Sequence, residues 1–99
     1  MSWPGQVLVG SRVLEELRKK YFVQVVLKSA NLIEVNVASF PPKTTETSRV
    51  VKEDIKENNI IGRIEQELRE GGVSSFSIEM ETCLAFSGED SPVTIYVRF

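Results

Sequence analysis

The chain contains no histidine and a single cysteine, and both shortages narrow its chemistry. Histidine is the side chain that most often acts as a general base near neutral pH, and the one that most often ligates transition metals. Cys83 alone can form no internal disulfide, and it has no second thiol with which to build a metal cluster. No cofactor is therefore expected. Stability has to come from a packed core, and a hydrophobic share of 41% over 99 residues is enough for one domain spanning residues 1–99.

Long apolar runs are also missing. No stretch approaches the roughly 18 residues needed to cross a bilayer, so no membrane partner is expected. Residues 1–6 lack the basic start and apolar stretch of a secretory leader, and together with the single cysteine this predicts a cytoplasmic protein. Nor does one sign of charge dominate. Twelve basic and 14 acidic residues are interspersed, for a net charge of −2. Neutralising phosphates dominates nucleic-acid affinity, so this balance argues against a nucleic-acid partner.

What is present is a pair of successive helix-plus-hairpin blocks, 11–40 and about 59–99. Ahead of the first, Val7, Leu8 and Val9 form a short apolar run closed by Gly10, which reads as a buried strand. Ser11 is placed to cap a helix carrying Val13, Leu14, Leu17 and Tyr21 on one face. Residues 22–28 and 32–40 alternate. A loop of Ser29, Ala30 and Asn31 sets Leu27 opposite Ile33, Val25 opposite Val35 and Val23 opposite Val37, with Asn31 as the candidate for a left-handed backbone. The same register sets Gln24 opposite Asn36 and Val26 opposite Glu34 on the other face.

Pro41 and Pro42 end that strand, and the polar, aperiodic stretch within 41–49 predicts a flexible loop. Val51, Ile55, Ile61, Ile64 and Leu68 form a helical stripe that Asn58 and Asn59 either kink or break, and Gly71-Gly72 stops it. From Val73 the period is two. Phe76, Ile78, Met80, Leu84 and Phe86 share one face, and Ser75, Ser77, Glu79, Glu81 and Cys83 share the other. A turn at Gly88, Glu89, Asp90 and Ser91 pairs Phe86 with Val93, Leu84 with Ile95 and Met80 with Phe99, and sets Glu81 opposite Arg98 and Cys83 opposite Tyr96.

The expected order is βαββαββ, an α+β two-layer sandwich: an antiparallel sheet with two helices on one face, ferredoxin-like with an extra C-terminal strand. The stretch from 73 to 86 is longer than its hairpin partner. Its first half should pair elsewhere, with another strand or another copy.

Three kinds of site follow. Glu79 and Glu81 on one strand face, with Tyr96 nearby, are the catalytic candidates for a small acid/base enzyme. Gly10, Ser11 and Arg12, a turn opening a helix, could hold an anion such as a nucleotide phosphate. An RNA-binding sheet would need exposed aromatics such as Phe22 and Tyr96, here set among Glu34, Glu79 and Glu81. The leading expectation is a non-enzymatic protein–protein interaction module, either a subunit of an assembly or a small adaptor or inhibitor. It would bind another protein, or itself as a homo-oligomer, through a sheet edge or the 41–49 loop. The residues expected to make those contacts are Trp3, Lys43, Thr44, Thr45, Ser75, Ser77 and Phe99.

Overall fold

A computed structural model describes residues 4–39, 47–82 and 93–99. Within them the chain forms helices α1 (Pro4–Val9) and α2 (Arg12–Arg18), strands β1 (Tyr21–Ser29) and β2 (Leu32–Ser39), helices α3 (Thr47–Glu57) and α4 (Ile60–Glu70), and strands β3 (Ser77–Thr82) and β4 (Val93–Arg98). The fold is a small α+β arrangement with an open antiparallel sheet in the order β1-β2-β4-β3. Each half contributes two helices followed by two strands, and the second strands of the halves, β2 and β4, pair at the centre.

The expected leading strand is a helix. Pro4 stands at the first helical position, where its missing N–H costs nothing. Leu8 is buried, Val7 is half-buried and Val9 is 58% exposed, so the run has one buried side and not two. Three apolar residues in a row fit either geometry, and packing against α4 decides for the helix. With no strand before α2 among the described residues and with this strand order, the ferredoxin-like topology does not hold.

Ser11 caps α2 as expected: its hydroxyl accepts a hydrogen bond from the Leu14 N–H at 3.3 Å. Tyr21, expected on the helix, instead opens β1, because α2 ends at Arg18 and a turn at Lys19-Lys20 intervenes. The first hairpin has the expected register throughout Val23–Val37, Val25–Val35 and Leu27–Ile33, with a bulge between Leu27 and Ser29. Asn31 is not the left-handed residue. Among the described non-glycine residues that conformation belongs to Asn59, at φ 52°, where the second helical stripe breaks into α3 and α4. Gly72, at φ 92°, follows α4 and helps stop it.

Among the described residues the second hairpin keeps its expected faces but not its expected register, while Leu84, Phe86 and the turn at 88–91 lie outside them. Met80 pairs with Ile95 and not Phe99, Glu81 pairs with Thr94 and not Arg98, and Glu79 faces Tyr96, the place expected for Cys83. An even shift leaves every side chain on the same face, so alternation alone cannot choose between such registers. The central strands choose. Ile33–Val97, Val35–Ile95 and Val37–Val93 align β4 on β2, and Ile78 and Met80 extend two of those rows. Residues 73–76 are not strand, so the predicted long strand begins at Ser77.

Apolar rows cover one face of the sheet, with Ile33, Val35, Val37, Val93, Ile95 and Val97 all at most 1% exposed. Helices α2 and α3 lie against the sheet, and α4 packs on α1, α2 and α3 through Ile60, Ile64 and Leu68. No helix among the described residues is long and apolar enough to cross a membrane.

Candidate interaction surface

Glu79, Glu81 and Tyr96 do share the outer, helix-free face. Glu79 is the direct cross-strand neighbour of Tyr96, and Glu34 is its neighbour on the other side, so a tyrosine stands between two carboxylates in one row. Glu34 is tied to Lys28, Nζ to Oε2 at 3.2 Å. Glu81 lies one row away beside Thr94, whose hydroxyl donates to Asn36 Oδ1 at 2.7 Å. Arg98, expected to compensate Glu81, instead faces Ser77 and Leu32. Glu79 and Glu81 are exposed residues on an edge strand.

The anion-holding turn is already filled from within the chain. The Arg12 and Val13 N–H groups donate to Glu67 Oε2 and Oε1 at 3.1 and 2.9 Å, so a carboxylate from α4 closes the start of α2. Free N–H groups at a helix start attract an anion, and here the anion is a side chain that locks two helices together. Ser11 is itself 1% exposed. Sequence reading identified the turn but had no means of seeing Glu67, which lies 55 residues beyond Arg12.

A cleft of about 280 Å³ lies among α2, α3 and α4, lined by Glu16, Lys19, Lys20, Asp54, Asn58 and Arg63 among others. Several of its charges are satisfied internally. Arg63 pairs with Glu16, Asn58 donates to Asp54, and the Tyr21 hydroxyl donates to Asp54 Oδ2 at 2.5 Å. Burial, then the hydrogen bond to Asp54, pushes the Tyr21 phenol up to about 12.

The two sheet edges differ sharply. β3 has six residues, and its outward side chains are Ser77, Glu79 and Glu81, all exposed. Ser75 precedes the strand and is exposed, and beside it Phe76 is half-buried with the Arg69 guanidinium 5.7 Å from its ring centroid. β1 is nine residues long and carries one charge, Lys28. Phe22 on its outer face and Leu27 on its helix-side face are each 60% exposed. Beside Leu27 a cleft of about 340 Å³ is lined by Val9, Arg18, Val25, Leu27 and Ile33. Among the described residues β1 has a strand neighbour only on its β2 side.

Sequence reading placed candidate open edges at 73–79 and at the strand ending in Phe99, and missed β1. The available signal was a strand-like segment whose polar face carries Phe22 and whose only charge is Lys28, but strand order cannot be read from alternation. Of the other expected contact residues, Phe99 is half-buried against the core and donates its N–H to the Asn31 carbonyl at 2.9 Å. Trp3, Lys43, Thr44 and Thr45, together with Cys83, lie outside the described residues. Comparison with known proteins finds no matching family model, no similar curated protein and no similar solved structure.

Proposed function

We propose that this chain is a protein–protein interaction module, an assembly subunit or small adaptor, that takes an extended segment onto the edge of β1. One observation carries the reading: a nine-residue, nearly uncharged strand stands at an open sheet edge with Phe22 and Leu27 each 60% exposed. An edge strand presents N–H and C=O groups that an added strand can pair, and alternate side chains of the added strand then find pockets on the two faces. The cleft at Val9, Val25 and Leu27 is such a pocket on the helix side, and Phe22 offers an aromatic contact on the other. The β3 edge carries the acids Glu79 and Glu81, the kind of charge that discourages strand addition.

Selection of extended peptides from a displayed library, followed by amide chemical-shift mapping of the winners, tests this. Shifts concentrated in residues 21–29 are expected. Binders that perturb 77–82 or the helical layer instead, or the absence of any binder, would reject the β1 edge as the site.

A further inference from the structure

We infer that the strand added to β1 is β1 of a second copy, paired antiparallel about a two-fold axis through Val25. The inference rests on the edge reading above and names its occupant.

The β1 edge is self-complementary. Antiparallel pairing across a dyad perpendicular to the sheet keeps both helical layers on one side, so each residue must meet one that points to the same face. Val25 is the central residue of Tyr21–Ser29, and a dyad there gives the greatest overlap of the two strands. On the helix side Val25 then meets Val25 of the second copy, and Leu27 meets Val23 of the second copy. Val23 and Val25 are half-buried and Leu27 is 60% exposed, so an apolar row is completed at the mouth of the Val9–Leu27 cleft. On the outer face Gln24 meets Val26, and Lys28 meets the 60% exposed Phe22, a pairing of a cation with an aromatic ring. Lys28 is the strand's only charge, so no like charges oppose each other within the pair.

The other edge gives the opposite result. Pairing β3 with its own copy in the registers of greatest overlap sets Glu79 against Glu79 or against Glu81, which is repulsive. The molecule therefore carries one edge guarded against self-association and one suited to it. The product is a continuous eight-stranded sheet in the order β3-β4-β2-β1-β1-β2-β4-β3.

The experiment is light scattering on the full chain, combined with cysteine cross-linking in a Cys83→Ser background. The expected mass is twice the 11.2 kDa of one chain. Val25→Cys should oxidise to a disulfide dimer, because directly opposed Cα atoms in an antiparallel pair lie about 4.5–5.5 Å apart, within disulfide reach. Gln24→Cys and Val26→Cys should not, since in this register each lies about 8 Å from its own copy. Leu27→Glu, at an exposed position, should leave a folded chain with the mass of one copy. A monomer at every concentration overturns the inference, as does a dimer that cross-links through Gln24→Cys or Val26→Cys in preference, or one that Leu27→Glu leaves intact. If the chain is a monomer and selected peptides still map to 21–29, the edge reading stands without self-pairing. If those peptides map elsewhere, both fall.

Discussion

Tyr21 shows how one residue can belong to two patterns. Its spacing from Leu17 suits a helix, yet it opens β1 and sends its hydroxyl to Asp54 on α3, tying the sheet to the helical layer. Its phenol is raised from an ordinary value near 10 to about 12, by burial first and then by Asp54. A raised phenol means that the folded state holds the proton more tightly than the unfolded chain does. The resulting stability is complete below pH 10 and is lost as pH rises through 12. Tyr21→Phe is expected to cost about 1 kcal/mol at neutral pH through the lost hydrogen bond. It should also flatten the fall in stability between pH 10 and 12 relative to the wild type. Urea titrations of both proteins across that range check this, and parallel pH profiles would remove Tyr21 as the cause. Ser11 was legible as a cap because capping is local, three residues to Leu14. Glu67 was not, because nothing near it in sequence marks it as the partner of α2.

At the scale of elements, the break between α3 and α4 turns on Asn59, held left-handed at φ 52°, a conformation asparagine tolerates better than most residues. Its exposed side chain makes no capping hydrogen bond, but it occupies the space above Gly62. A Cβ on Gly62 would stand 2.7 Å from Asn59 Nδ2 and Oδ1 and 2.9 Å from its Cγ, so the whole carboxamide of this exposed side chain has to swing into solvent. Gly62 stands in the first turn of α4 and Asn59 has to move, so Gly62→Ala is expected to raise stability by less than the interior-helix gain, about 0.5 kcal/mol or below. A denaturant midpoint that falls instead would mean that Asn59 is held where it is. The Asn58-Asn59 pair announced a discontinuity in the sequence, but whether it made a kink or a break depended on α4 finding its own seat against α1 and α2.

At the scale of the molecule, the two halves meet through β2 and β4, which places β1 and β3 at opposite rims. The segment preceding β3 can then be tested as a bystander. Ser75 is exposed and lies outside the β3–β4 ladder. Ser75→Pro removes no hydrogen bond of the β3–β4 ladder, and it is expected to fold and to keep the oligomeric state of the wild type. Thermal melting and light scattering measure both. Loss of association in this variant alone would move the interface to 73–79.

Alternation and capping residues were enough to determine the first hairpin's register from Val23 to Leu27 but not its turn, where Ser29 joins β1 opposite Leu32, and also the inward faces of the described strands, the Ser11 cap and the Gly71-Gly72 stop. These are short-range features, set by backbone geometry and by the two periods of apolar residues. Tertiary packing decided the rest. It turned Val7–Val9 into a helix because only Leu8 is fully buried there. It chose the β3–β4 register, because an even slip changes no face and the rows Ile33–Val97–Ile78 and Val35–Ile95–Met80 distinguish one slip from another. It also decided which edge stays open, because strand order follows from how the two halves bury one shared core, and no local pattern encodes that.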